Sequence, residues 1–403
     1  MAEAFRAVPV SEHVHWVGAV DWKLRDFHGY QTTHGTSYNA FLVTGPQPVL
    51  IDTVKEPFRE EMMARIASVL DPQSIVAVVS NHAELDHSGS LPAVLAAIEP
   101  ERLIASEPGA KALREHFHWA REIDVVRDGE RRELGGLEFL FAETRMLHWP
   151  DSMFTFLPCD GVLFSNDAFG MHLAGTERFV DQVDPSLWRY EAAKYFANIL
   201  LPFSPVVKKL LARWPSFEWD VRVIATDHGP IWRRPPHPIV DLYAEWAAQE
   251  PTDKAVVVFA TMWNSTARMA QAVIDGLLAG GVRVKVMPLA ETHRSDIATE
   301  VLDAGALVVG SPTINNEIFP SVADVLTYLK GLKPRGLVGA AFGSYGWSGE
   351  GVRRVEGFME AMKIPLASDG VRVRYVPDEA AFQQCRALGE QVAARLTLPA
   401  PTA

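Results

Sequence analysis

The 403-residue chain has only two cysteines, Cys159 and Cys385, too few for an iron–sulfur or rubredoxin-type centre, which needs four. Any electrons it uses must therefore arrive from another molecule. Two free thiols in a reducing cytoplasm are expected, with one disulfide as the alternative. Long apolar runs are missing as well, so nothing approaches the roughly 20 residues a membrane-spanning helix needs. The first residues, Met1-Ala2-Glu3-Ala4-Phe5-Arg6, lack the apolar core of a signal peptide, which again predicts a cytoplasmic protein. Positive charge is in deficit: 38 Lys and Arg stand against 50 Asp and Glu, a net charge of −12. That balance argues against a nucleic-acid partner, which selects a basic surface. The sequence has no Gly-Lys of a P-loop, no three-glycine dinucleotide fingerprint, no internal repeat and no low-complexity tract. What remains is a 48 % apolar chain long enough for two or three domains with full cores.

The patterning changes near Gln249-Glu250-Pro251-Thr252-Asp253. Before it, apolar strands predominate, with helices expected at about Arg59 to Leu70, Leu91 to Ile98 and Trp188 to Leu200. After it, strands and helices alternate from Lys254 to a last helix over Glu379 to Arg395. Five strands separated by helices in about 150 residues predict a doubly wound parallel sheet. The expected domains are residues 1–250 and 254–403.

In the first domain, four apolar runs read as buried strands: Ile75 to Ser80, Leu137 to Ala142, Val162 to Ser165 and Val221 to Thr226. Each is followed by potential metal ligands, namely His82-Ala83-Glu84-Leu85-Asp86-His87, then His148, Asp167 and His228. Ligands collect at such strand ends because loops leave a rigid sheet there and converge. A lone histidine at a strand end is usually structural. Four imidazoles and three carboxylates at four such ends instead predict a two-metal site. On an extended segment His82, Glu84 and Asp86 would face one way, with His87 turning off towards a second ion. Asp167 is the natural bridge. Carboxylates mixed with imidazole, without sulfur, favour iron or manganese over a His-rich hydrolytic zinc site.

In the second domain, three loops follow the expected first, third and fourth strands. The first, Thr261-Met262-Trp263-Asn264-Ser265-Thr266, offers hydroxyls, an amide and backbone N–H groups at a helix start, suited to a phosphate held by neutral donors. The second is Ser311-Pro312-Thr313-Ile314-Asn315-Asn316. The third, Ser344-Tyr345-Gly346-Trp347-Ser348-Gly349, sets aromatics among small residues, so a flat ring could stack there. A mononucleotide flavin, FMN, fits this combination.

The chain resembles the flavodiiron proteins over nearly its whole length. The most specific stretches are Leu147-His148-Trp149-Pro150-Asp151-Ser152-Met153, Phe164-Ser165-Asn166-Asp167-Ala168-Phe169-Gly170, Ser311 to Asn316 and Gly343 to Gly349. The resemblance implies an α/β chain: a metallo-β-lactamase-like αββα sandwich followed by a flavodoxin-like doubly wound parallel sheet. It implies FMN and two iron ions, with His82, Glu84 and His148 on one iron, Asp86, His87 and His228 on the other, and Asp167 bridging. His28 resembles a family histidine near the pocket, acting from outside the ligand set or making a structural hydrogen bond. It implies reduction of O2 to water or NO to N2O, electrons from rubredoxin or a flavoprotein reductase, and a head-to-tail homodimer or homotetramer. Asn264 stands where Gly is more usual, Met171-His172 where Gln-His is frequent, and Phe196 follows Tyr195 where a second Tyr is common. The pocket around Tyr195 therefore bears on substrate choice. Two other readings compete: a dizinc hydrolase with an accessory flavin domain, which Glu84 disfavours, and an electron-transfer flavoprotein with a vestigial metal pocket.

Overall fold

The computed structural model describes residues 5–234 and 237–397. The stretch Met1 to Ala4, part of the segment read for a signal peptide, lies outside them. The chain divides into two compact units. The first comprises residues 1–28, 32–195 and 203–244, and the second 29–31, 196–202 and 245–403.

The first unit is built on two sheets. One runs β1 (Val8–Pro9), β2 (Val14–Trp16), β3 (Phe41–Val43), β4 (Val49–Ile51), β5 (Ala77–Ser80), β6 (Arg102–Ser106) and β7 (Asp124–Val126) in spatial as well as sequence order. Pairing is antiparallel through β4 and parallel from β4 to β7. The other runs β8 (Arg131–Leu134), β9 (Leu137–Glu143), β10 (Met153–Leu157), β11 (Val162–Phe164) and β12 (Val223–Ala225). Only its last pair is parallel.

Alternation along each strand decides what packs where. Phe41, Val43, Val49, Ile51, Ala77 and Val79 meet Phe139, Phe141, Val162 and Phe164 of the facing sheet in one core. Their neighbours Leu42, Leu50 and Val78 turn the other way, onto Met62, Ile66, Leu91, Val94 and Leu95 of the helices Arg59–Ala67 and Leu91–Ile98. With both faces of the first sheet buried, a cavity-forming change such as Phe41→Ala is expected to cost about 3–5 kcal/mol.

Most element assignments agree with the sequence reading to within a few residues. One long helix does not. The segment Trp188 to Leu200 is an α-helix over Pro185–Tyr195 followed by a π-helical turn over Phe196–Leu200, so Tyr195 ends the regular helix.

The second unit is a five-stranded parallel sheet of β13 (Lys254–Phe259), β14 (Arg283–Pro288), β15 (Ala306–Gly310), β16 (Val338–Tyr345) and β17 (Val371–Arg374), in the order β14-β13-β15-β16-β17. This is the flavodoxin-like order, with its switch point between β13 and β15. Helices Ser265–Ala279 and Glu379–Thr397 cover one face through Met269, Val273, Leu277, Leu388 and Val392. They approach closely because Gly276 and Gly389 have no side chain. A Cβ at either would lie 2.0 Å from the Arg386 carbonyl oxygen or 2.2 Å from that of Val273. Among the described residues no helix is long and apolar enough to cross a membrane.

Candidate functional site

The seven residues singled out in the first unit converge. His82 follows β5 and Asp86 and His87 lie on the short helical turn Leu85–Ser88. His148, Asp167 and His228 occupy the segments after β9, β11 and β12. The helical turn corrects the extended reading of the first motif: Asp86 does not face with His82 and Glu84. Two groups form instead, His82, Glu84, His148 and Asp167 in one, and Asp86, His87 and His228 in the other.

Asp167 addresses both groups. Its Oδ2 lies 3.0 Å from His148 Nε2 and 3.3 Å from His82 Nε2, and its Oδ1 lies 3.3 Å from the Nε2 atoms of both His87 and His228. Glu84 Oε2 stands 3.3 Å from both His82 Nε2 and His148 Nε2, while Asp86 Oδ2 is 3.2 Å from His228 Nε2.

Hydrogen bonds behind the imidazoles fix which nitrogen faces inward. His82 Nδ1 contacts Asp151 Oδ2 at 3.1 Å, an oxygen that also accepts the Ala83 N–H at 2.6 Å. His228 Nδ1 donates to the Ser37 carbonyl at 2.7 Å. The His228 loop is itself held by Asn39, whose side-chain amide donates to the Thr226 and Gly229 carbonyls. Behind His87, the Asp227 carboxylate lies 3.6 Å from Nδ1. At the other edge of the pocket, His28 Nε2 is 3.6 Å from Glu84 Oε1, on a side chain that is largely exposed. Tyr195 is buried, its ring 5.1 Å from that of His172 and 6.1 Å from that of His228.

The ionisation pattern follows from burial opposed by these contacts. Burial raises the Glu84 carboxyl, but His148 and His82 overcome it and bring it down to about 2. Burial likewise works against the Asp167 and Asp86 anions, and neighbouring imidazoles hold both well below the usual carboxylate range. The reverse holds for His82, His87 and His148: burial lowers them, while the carboxylates raise all three above the ordinary imidazole value. Burial and the charge of Asp167 push Tyr195 well up, so its phenol stays protonated.

A cavity of about 390 Å³ in the second unit gathers the three loops at the carboxyl ends of β13, β15 and β16. Met262, Trp263, Ser265, Pro312, Thr313, Ile314, Asn315, Ser344, Tyr345, Gly346, Trp347 and Ser348 line it; Thr261, Asn264, Thr266 and Gly349 do not. Thr266 instead bonds behind the wall, its hydroxyl 2.9 Å from that of Ser344. Asn264 has φ +66°, a left-handed conformation that Asn tolerates better than most residues, which accounts for Asn where Gly is more usual.

Residues 36–229 match the family model of ODP family beta lactamase, and residues 257–389 that of flavodoxin. The nitric oxide reductase of Moorella thermoacetica is 44 % identical over 393 residues, 96 % of this chain and 98 % of that one. The solved rubredoxin oxygen:oxidoreductase of Desulfovibrio gigas superposes with a TM-score of 0.95 at 40 % identity, covering 97 % of this chain and 98 % of that one. The flavodiiron protein of Giardia intestinalis superposes at 0.93 with 32 % identity, covering 97 % of each chain. The chain belongs to the flavodiiron protein family.

The pocket of the first unit fits a pair of cations on its own chemistry. Both Asp86 oxygens, both His87 ring nitrogens and Asp167 Oδ1 are buried without a hydrogen-bond partner among the described residues. Buried polar groups of this kind are costly unless something compensates them. Two cations between the groups would do so for the Asp86 oxygens, His87 Nε2 and Asp167 Oδ1, replacing protons on the raised imidazoles. Sequence reasoning gave no role to Asp151, Asp227 or the Ser37 carbonyl. Asp151 sits inside one of the most specific motifs and Asp227 precedes a ligand candidate, so position was the available signal. The Ser37 carbonyl carries none, because a backbone acceptor has no residue type. Tyr375, which also lines the cavity of the second unit, lies after the fifth strand and outside the three loops.

Proposed function

We propose that this protein is an FMN- and diiron-dependent oxidoreductase that reduces O2 to water, NO to N2O, or both. It acts in the cytoplasm on electrons from an external donor such as rubredoxin or a flavoprotein reductase, as a head-to-tail homodimer or homotetramer. The diiron centre belongs to residues 1–250 and the flavin to residues 254–403. His82, Glu84 and His148 take one iron, Asp86, His87 and His228 the other, and Asp167 bridges. One observation carries this reading: each Asp167 oxygen addresses a different ligand group. When bound, two ferrous ions and a reduced flavin hold four electrons, the number that takes O2 to two waters, while two suffice to couple two NO molecules.

The chain's own residues prepare the pocket for this chemistry. Asp151 and the Ser37 carbonyl orient His82 and His228. Asp86, His87, Asp167 and His228 are buried, which keeps bulk water from the reacting position. Tyr195 keeps its phenolic proton beside Asp167, and His28 stands at the mouth next to Glu84. The hydrolase reading is disfavoured by Glu84, a carboxylate in contact with two imidazoles where a hydrolytic zinc pocket would place nitrogen.

The test is parallel turnover of the anaerobically reduced, iron-loaded protein with O2 and with NO. Faster loss of O2 with water as product identifies an oxygen reductase, and faster loss of NO with N2O identifies a nitric oxide reductase. Stoichiometric zinc without iron in native protein, with neither gas consumed, would overturn the proposal.

A further inference from the structure

A second group of metal-ligating side chains lies away from both sites, where turns of the two sheets of the first unit meet. The turn between β1 and β2 carries Ser11 and His13, and the turn between β10 and β11 carries Cys159 and Asp160. Asp160 is the hub. Its side chain is 2 % exposed, and its carboxylate accepts the Ser11 hydroxyl, the His13 N–H at 2.8 Å and a contact from His13 Nδ1 at 2.7 Å. One ligand atom from each of His13, Cys159 and Asp160 lies within 4.8 Å of the others. Cys159 is exposed, so the cluster has a path from solvent.

We propose that His13, Cys159 and Asp160 form a peripheral binding site for a thiophilic divalent cation, with zinc the best match. Nitrogen, sulfur and oxygen donors together are the zinc set, and three protein ligands leave the fourth tetrahedral position to water. The sulfur separates this cluster from the diiron pocket, which has none: thiolate selects zinc, whereas imidazole and carboxylate suit iron. One donor is already prepared. Burial opposes the Asp160 anion, but Ser11 and His13 hold its carboxyl below the ordinary range, so it is charged at neutral pH. Burial and Asp160 raise the Cys159 thiol, which makes it a poor free nucleophile and leaves its proton for a metal to displace. On binding, the thiol proton passes to solvent and the His13 proton moves from Nδ1 to Nε2. One proton is released per ion and no electrons move. The bound ion would pin the β1–β2 turn to the β10–β11 turn, adding to the bonds that Ser11 and His13 already make to Asp160.

The test uses the iron- and FMN-loaded protein, zinc chloride and a maleimide. Cys385 is fully buried, so Cys159 is the thiol that reacts first. Zinc should slow its modification at least about tenfold, saturating at one equivalent, because the metal-bound thiolate is no longer free. His13→Ala should restore fast modification in the presence of zinc. Cobalt(II) in place of zinc should add a thiolate-to-metal absorption band that Cys159→Ser abolishes. Flavin absorbance identifies folded variants, and if His13→Ala fails to fold, the cobalt band decides. Modification at an unchanged rate in zinc, protection that survives His13→Ala, or no cobalt band overturns the site.

Discussion

The proposed metal pocket and the proposed flavin cavity are built on opposite principles. Five of the seven metal-pocket residues, His82, Asp86, His87, Asp167 and His228, are at most 4 % exposed, whereas Trp263 and Trp347 of the flavin cavity are 90 % and 85 % exposed. The pocket is made of ionisable groups, each of which needs a compensating neighbour once buried. That need explains the Asp151 carboxylate behind His82 and the Ser37 carbonyl behind His228. Among the described residues the cavity has no carboxylate, lysine, arginine or histidine in its lining. It relies on hydroxyls, amides, backbone and aromatic faces, which can remain open to solvent at little cost.

The sharpest way to break this contrast is to remove the residue that joins the two ligand groups. Asp167→Ala should reduce turnover to background and lower bound iron, with FMN content unchanged. Metal analysis and flavin absorbance read the two separately, and full activity in this variant would refute the bridge. Acid should divide the sites almost as clearly. His82, His87 and His148 hold their protons to higher pH than an ordinary imidazole, so an incoming metal must displace them. Iron affinity should therefore fall as pH is lowered through and below the ordinary imidazole range, roughly tenfold per pH unit for each proton displaced. FMN retention, followed by fluorescence of released flavin, should stay flat over the same interval. Parallel losses of flavin and iron would show that the cavity depends on charge after all.

This contrast also governs how much was legible in the sequence. The second fold was, because the strand–helix alternation after residue 254 is a backbone-scale signal, whereas apolar runs such as Ile75 to Ser80 indicated strands of the first unit and only the family resemblance indicated its fold. The seven pocket residues were legible as a set, since His, Asp and Glu rarely gather at four strand ends without a purpose. Their grouping was not legible from spacing alone. Asp86 was placed with His82 on the assumption of an extended segment, and the turn Leu85–Ser88 rotates it towards His228. The supporting layer was hidden more deeply, because Asp151 is 69 residues from His82 and the Ser37 carbonyl 191 from His228. Such partners are fixed by tertiary packing. In the three loops of the second unit, residue type pointed to segments that line one cavity, but which side chains face it depends on turn geometry. Thr266 therefore bonds to Ser344 behind the wall.

Smaller changes probe each principle from within. Asp151→Asn keeps the shape behind His82 but removes the charge, and should weaken iron binding by about 10–100-fold, the usual cost of losing a partner behind a metal-bound histidine. Trp347→Ala removes one aromatic face from the cavity. The expected loss is about 0.5–1.5 kcal/mol of flavin affinity, or about 2- to 12-fold, measured by titrating apoprotein with FMN. The smallest effect belongs to Asn264. Its left-handed backbone suits Gly at least as well as Asn, and it has no side-chain bond capping the helix that follows. Asn264→Gly should therefore leave FMN affinity within about twofold of the parent, because the cost of Gly at such a position is only a few tenths of a kcal/mol. Asn264→Val should be clearly worse, since a β-branched residue resists positive φ. If instead Gly weakened binding as much as Val, the Asn264 amide itself would be a flavin contact, and the cavity would depend on specific side-chain donors as strictly as the metal pocket does.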